Sequence, residues 1–473
     1  MKRRVGFIIP NTDKRIRYGK LSELGSYLPS LGISYIAAVA EKEGHEVSII
    51  DAEIKNYSDE DIIKEVSKLD LEVVGFQTFY NTINSCLRLA HKIKTYNKNI
   101  IIVFGGIQST LFPEDTLSNP NVDYVVIGEG EIVFKNLLKN LNSSEELCKV
   151  KGLAFRGSDN KIIRTNREVN IMNLDELPFP ARHLFPMSLY KSSANLRGKR
   201  NLHVMSSRGC PFSCAFCESH MTFGKTNRFH STNRIIQEVI ILRDTYGADA
   251  IQFYDESFTL NKERVYKLCD EMVKQKINLP WSCFTRVNLI DIDLLKAMKS
   301  AGCYQIFFGV ESGVPRLLKL VNKKHTLEQV KKALEITNKV KIQSTASFIL
   351  GLPTETTEEA LQSIEFAKEI NPTFVNFLLF CPFPGTDIYD ISLKNGEILE
   401  RDASKWSNFN ENQVVYLPYG RKKEEILQIV KKAYRRYYLR PQYFYSVFPL
   451  FKKTDLLKFL KMYKSAYKLL LTK

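Results

Sequence analysis

Short apolar runs alternate with amphipathic segments along most of this chain, and no other feature limits its fold as strongly. "VGFIIP" (5–10), "EVSIID" (46–51), "LEVVGFQT" (71–78), "IIIVFGG" (100–106) and "VDYVVIG" (122–128) read as buried strands. Amphipathic segments lie between them; one begins at Thr82 and puts Ile83, Leu87, Ala90 and Ile93 on one side. Strands that alternate with helices build a doubly wound parallel sheet. Its ligand crevice belongs at the carboxyl ends of the strands. Thr78, Gly105, Gly106 and the "GEGE" run (Gly128, Glu129, Gly130, Glu131) fall there.

Residues 146–200 break the rhythm. "GLAFRGSDNKIIRTN" reads as a hairpin turning at Ser158-Asp159-Asn160, and the proline-rich "LDELPFPARHLFP" reads as a crossing between domains. The alternation resumes with strands expected at 202–206, 250–256, 280–286, 303–311, 344–350 and 373–380. Helices are expected at 231–246, 261–275, 291–300, 326–340 and 356–370, with Ser231, Asn261, Asp291, Thr326 and Thr356 as N-caps. Six such units are too few for an eight-fold barrel of ~250 residues, so an incomplete barrel or a second open sheet is expected. The divisions read from this pattern are 1–145, 146–200, 201–390 and 391–473. The last is expected to be mostly helical, including 421–438 and 454–471.

"SSRGCPFSCAFCES" (206–219) follows the first strand of that second unit and holds Cys210, Cys214 and Cys217 as C-x3-C-x2-C. Zinc usually takes four ligands, and His220 or His230 is near enough to supply the fourth. Iron–sulfur clusters take thiolates too, and three on a four-iron cluster leave one iron open for chemistry. The other cysteines (Cys86, Cys148, Cys269, Cys283, Cys303 and Cys381) are scattered and read mostly as core thiols. This pattern is unlike a secreted disulfide framework and fits a reducing cytoplasm.

The motif, with Phe216 before its last cysteine and an incomplete barrel around it, resembles the radical SAM (S-adenosylmethionine) superfamily. The resemblance implies that Cys210, Cys214 and Cys217 hold a [4Fe–4S] cluster whose open iron chelates the methionine moiety. It further implies that Glu256 of "FYDESF" faces the amino group of adenosylmethionine, that Arg286 of "FTR" stands at a strand end, and that Glu311 and Ser312 of "FFGVES" lie near the ribose. Gly351 of "FILGLPTET" would lie beside the adenine.

"LGISYIAAVAEKEGHEVSIIDA" (31–52), "VFGGIQSTLFPEDTL" (103–117) and "VDYVVIGEGE" (122–131) resemble the cobalamin-binding domain of one branch of that superfamily. The corrin would then lie near Thr78, Gly105, Gly106, Gly128, Glu129 and Gly130. A D-x-H-x-x-G motif is absent from residues 10–30, which implies cobalt with no histidine below it. The branch implies methyl transfer to an unactivated carbon through a 5′-deoxyadenosyl radical. Cobalamin-dependent cyclisation, oxidation or rearrangement is the alternative. A tRNA methylthiotransferase is disfavoured, since only Cys86 and Cys148 precede the core, and a non-catalytic zinc protein ranks lower. The implied partners are a small-molecule or lipid-like substrate and a flavodoxin- or ferredoxin-type electron donor.

Charge is uneven. Residues 421–473 carry a net +12 of the chain's +16. "TDLLKFLKMYKSAYKLLL" (454–471) reads as a basic amphipathic helix, able to lie on an anionic membrane face or to pack on the barrel, and "RRYYLRP" upstream could do either. Nothing resembles an RNA-binding module, which disfavours nucleic acid. The expected location is cytoplasmic; peripheral contact at the inner membrane face goes with the first of the two readings of the tail.

Overall fold

The computed structural model describes residues 2–12, 28–192, 196–410 and 412–443. The expected helix at 454–471 lies outside them.

The first sheet is built from β1 (Arg4–Ile9), β2 (Glu46–Asp51), β3 (Val73–Gln77), β4 (Ile101–Gly105) and β5 (Tyr124–Val126), paired in parallel. The expected hairpin forms as β6 (Leu153–Arg156) and β7 (Ile162–Arg164), with Asn160 in the left-handed region at its turn. It adds antiparallel to β5, giving the order β2-β1-β3-β4-β5-β6-β7. Parallel strands buried on both faces read as continuous apolar runs, which is why each was visible in the sequence.

The second sheet has six parallel strands, β8 (Asn201–Val204), β11 (Ala250–Phe253), β12 (Trp281–Thr285), β13 (Cys303–Glu311), β14 (Gln343–Leu350) and β15 (Phe374–Leu379). Between β8 and β11 sits a small antiparallel ribbon, β9 (Ser207–Arg208) with β10 (Arg228–Phe229). Strand order follows chain order from β8 to β15, and those two end strands do not pair. The result is an open barrel of six β/α units. Its crossover helices start where expected: Ser231, Asn261, Asp291, Thr326 and Thr356 each accept a backbone N–H three residues on, and Thr326 and Thr356 do so in full capping boxes.

One hydrophobic core joins the two sheets. It runs from Val5 and Phe7 through Ala181, Phe185, Met187 and Tyr190 of the crossing segment to Leu202, Ile235 and Phe253. The crossing is therefore packed rather than loose. Its Arg182 donates to Glu238 at 2.6 Å, and both side chains are buried. Five of the six scattered cysteines are buried, but Cys148 is exposed and is not a core thiol.

Beyond β15 the chain is not only helical. A short antiparallel pair, Gly396–Ile398 with Tyr416–Pro418, was too brief to read from sequence. The helix Lys423–Tyr438 covers the free edge of β15. Tyr438 Oη accepts from Val375 N at 2.9 Å and donates to Val375 O at 2.8 Å, and Tyr437 is buried. "RRYY" thus packs on the barrel, closing an edge that would otherwise invite further strands. No helix among the described residues is long and apolar enough to cross a membrane.

Tyr438→Phe removes both bonds to β15 and leaves the Val375 N–H unpaired. The expected loss is about 1–3 kcal/mol, read from the urea unfolding midpoint, with more self-association on gel filtration.

Candidate active site between facing strand ends

The cysteine loop is held from beneath. Asp255, at the end of β11, accepts from Ser206 N at 2.7 Å and from Ser207 Oγ at 2.9 Å. The ribbon pairs Arg208 with Arg228 and closes residues 209–227 into one loop. Gly209 has φ +87°, and a Cβ there would stand 2.2 Å from Thr226 O, so no other residue fits. Ala215 N donates to Val321 O, and Asn322 Nδ2 donates to Ser213 O, docking the far side of the loop behind β13.

The three thiols lie at different depths: Cys214 is buried, Cys210 and Cys217 half-buried. Burial pushes Cys217 up to about 11 and raises Cys210 as well. They need a strongly charged metal centre to become thiolates. Arg286, at the end of β12, lies 3.9 Å above the Phe212 ring and donates to Cys214 Sγ at 3.3 Å. A second guanidinium nitrogen donates to Lys323 O. No three His, Cys, Asp or Glu side chains among the described residues are grouped to hold one metal ion. A cubane takes one thiolate per iron, so its ligands need not converge on a point, whereas zinc would require it.

The strand-end acids divide by role. Asp255 is structural. Glu256 accepts from Ser219 Oγ at 2.8 Å through one oxygen, while the other is buried with no partner among the described residues. Burial raises its carboxyl. Glu311 sits at a β-bulge with φ +70°, and its carboxylate pairs with Lys323 Nζ at 2.7 Å, both side chains buried. Lys323 Nζ is also 5.7 Å from the centre of the half-buried Phe216 ring. Left-handed backbone at a glutamate is strained and is held by surrounding structure. Ser312 is different. Its hydroxyl accepts from Val314 N at 3.1 Å and meets Ser363 Oγ at 3.2 Å, so it fastens the turn and is spent there. Gly351 has φ +83°, and its N–H donates to Glu355 at 2.5 Å.

On the facing sheet, Thr78 Oγ1 donates to Gly105 O at 2.8 Å and lies 2.7 Å from Ser109 Oγ. Gly106 has φ +96°, and a Cβ there would come within 2.6 Å of Thr78 O. Gly128 N donates to Thr110 Oγ1 at 3.1 Å, and Gly130 opens the helix Gly130–Asn140. Glu129 departs from expectation: its carboxylate is committed to Arg228 by two bonds of 2.8 Å and accepts from Ile171 N. Only its backbone is left for a corrin.

Tyr80, two residues past Thr78, joins the halves. It stacks on Phe383 at 5.2 Å and donates to Pro384 O at 2.8 Å beyond β15. It also lies beside Glu218, next to Cys217, whose carboxyl burial pushes up to about 7. Inside the barrel, alternate residues of successive strands form an aromatic run, His203–Tyr254–Phe284–Phe307, with ring centres 4.8–5.4 Å apart. Lys323, Glu355, Tyr80 and this run were not picked out in the sequence. Tyr80 and the aromatic run depend on residues far apart in the chain, whereas Lys323 and Glu355 meet partners 12 and 4 residues away that no local pattern announces.

The donor set fits an iron–sulfur cluster: three thiols on one anchored loop, with an arginine on a sulfur and an unpartnered carboxylate oxygen nearby. The model of the B12 binding domain matches residues 20–138, and that of the Radical SAM superfamily matches residues 204–367. An uncharacterised methyltransferase of Pyrococcus horikoshii is 34% identical over 92% of each chain.

The chain belongs to the radical SAM enzymes that carry a B12-binding domain.

Their cofactors are a [4Fe–4S] cluster, S-adenosylmethionine and cobalamin. The chain is also similar to the anaerobic magnesium-protoporphyrin IX monomethyl ester cyclase of Rubrivivax gelatinosus, 27% identical over 92% of this chain and 77% of that one. Its fold matches that of the radical S-adenosylmethionine methyltransferase TsrM from Kitasatospora setae, solved with cobalamin and a [4Fe–4S] cluster. The TM-score is 0.67, at 17% identity over 83% of this chain and 78% of that one.

Burial pushes the Glu355 carboxyl up to about 8. An unfolded glutamate titrates near ~4.3. The folded state therefore keeps a proton that the unfolded chain releases, and stability falls as pH rises from about 4.3 toward 8. Glu355→Gln keeps an acceptor for Gly351 and removes the charge. The drop in unfolding free energy between about pH 6 and about pH 8.5 should shrink by on the order of 2 kcal/mol, measured by urea titration at both values.

Proposed function

We propose that this enzyme transfers a methyl group to an unactivated carbon of a small molecule lodged between the two sheets. The observation that carries this reading is the placement of the cysteine loop by the Thr78–Gly106 turn, with Tyr80 beside Glu218 of that loop and bonded to Pro384 beyond β15. When bound, the cluster and adenosylmethionine supply the 5′-deoxyadenosyl radical, and cobalamin supplies the methyl group.

The protein's own contribution is binding and orientation. Cys210, Cys214 and Cys217 hold the cluster. Arg286 keeps positive charge at the Cys214 sulfur, which favours added electrons there. The open Glu256 oxygen accepts from the methionine ammonium. The Glu311–Lys323 pair offers one charge of each sign beside it, suited to ribose hydroxyls and a carboxylate. The backbone at Gly351 leaves room along the adenine. The left-handed turns at Gly106 and Gly128, packed against Thr78 and Arg167, present backbone toward a flat macrocycle. Tyr254, Phe284 and Phe307 give the barrel interior an aromatic wall, which suits a substrate with an apolar face better than a small polar one. The electron comes from a flavodoxin- or ferredoxin-type donor.

Ring closure without methyl transfer is the second reading, favoured by the cyclase relative. After anaerobic reconstitution with cobalamin, about four iron and four sulfide per chain are expected, and Cys214→Ala should lose at least ten-fold of that iron. With substrate present, methyl transfer yields S-adenosylhomocysteine and 5′-deoxyadenosine in equal amounts and a product one methyl heavier. 5′-Deoxyadenosine without S-adenosylhomocysteine would overturn methyl transfer in favour of cyclisation.

A further inference from the structure

The "GEGE" turn is bonded to the cysteine loop by four buried charges. Glu129 accepts from Arg228 Nη1 and Nη2 at 2.8 Å each, and Glu131 accepts from Arg208 Nη2 at 2.6 Å. Arg208 Nη1 also reaches Glu129 at 3.4 Å. All four side chains are at most 5% exposed. Both arginines come from the ribbon that closes the cysteine loop, and Arg208 is two residues from Cys210. Both glutamates come from the turn and first helical residues after β5.

The crossing segment and the loop itself add further bonds, while Nε of both arginines is buried with no partner among the described residues. Ile171 N donates to Glu129 and Ile171 O accepts from Arg228, while Arg228 Nη2 also donates to Phe223 O at 2.9 Å. The Arg208 guanidinium lies 4.9 Å from the centre of the Tyr35 ring and 5.7 Å from that of Phe223. Tyr35 belongs to the first sheet's helix Leu31–Lys42, and its hydroxyl is 3.4 Å from His230 beyond the ribbon.

Stability alone does not call for this arrangement. Replacing a buried ion cluster by apolar side chains of similar volume is often neutral or stabilising. What paired charges add is directional: bidentate arginine–carboxylate bonds fix angle as well as distance. The apolar core between the sheets would hold them together without fixing their register.

We propose that Arg208, Arg228, Glu129 and Glu131 are positioning residues that set the spacing and tilt between the corrin and the cluster. This rests on the reading above, that both cofactors are bound. The four charges sum to zero, so the clamp adds no net charge between the cofactors, and the effect proposed for it is geometric.

The test measures cofactor separation in the full chain, without substrate. Protein loaded with cobalamin and cluster is partly reduced, and the cobalt(II)–cluster distance distribution is taken from the electron-spin dipolar interaction. Wild type should give one narrow distance. Arg228→Met should broaden it at least two-fold. Because an unpaired buried glutamate can itself unfold the chain, Glu129→Met/Arg228→Met is run alongside. It keeps the volume, removes both charges and should broaden the distribution equally. Amide hydrogen exchange in 207–210 and 228–230 should quicken at least ten-fold in the same double variant. A distribution as narrow as wild type in the loaded double variant overturns the proposal. Wild type that takes up no cobalamin, or builds no cluster, overturns instead the reading on which the proposal rests.

Discussion

A parallel sheet puts the carboxyl ends of its strands on one edge, and two such sheets in one chain can share ligands only if those edges are turned toward each other. The packed crossing segment and the continuous core through Ala181, Phe185 and Tyr190 meet that constraint here. The rest of the site follows from it. Thr78, Gly106 and Gly128 lie at the ends of β3 to β5, while the cysteine loop, Glu256, Arg286 and Glu311 lie at the ends of β8, β11, β12 and β13. Each sheet offers half a site.

Departures from ideal geometry gather on the barrel's half. Glu311 is held at positive φ on a bulge, Glu256 keeps a buried oxygen without a partner among the described residues, and Glu355 is a buried carboxyl facing backbone donors of Gly351 and Leu352. Each costs folding free energy. Asp255 is the counterweight, since its hydrogen bonds to Ser206 and Ser207 and its approach to Arg264 at 3.5 Å fix the base of the cysteine loop. Neighbouring acids in "DES" thus do opposite work, one satisfied and one left open.

The fold was largely legible in the sequence because buried parallel strands and capped helices leave local signatures. Five capping side chains and every strand of both parallel sheets fall within a few residues of where pattern places them. The cysteine spacing likewise carried its meaning in eight positions. What escaped was non-local. Nothing near Lys323 announces that it will meet Glu311 behind a bulge, and nothing in "GEGE" separates a ligand-facing turn from one whose carboxylates are spoken for by arginines some 80 to 100 residues on. Ser312 is the opposite case: its hydroxyl, expected beside a ribose, is engaged by local turn geometry.

Cys148 is the one exposed cysteine; five others are sealed in the core, and burial holds Cys86, Cys269, Cys283 and Cys381 as unreactive thiols. With the remaining three on the proposed cluster, a maleimide reagent has a single target, exposed at the end of the short helix Ser144–Leu147. A dye or spin probe can therefore be attached there without deleting any native sulfur, and excess labelling becomes a direct gauge of how many molecules lack their cluster.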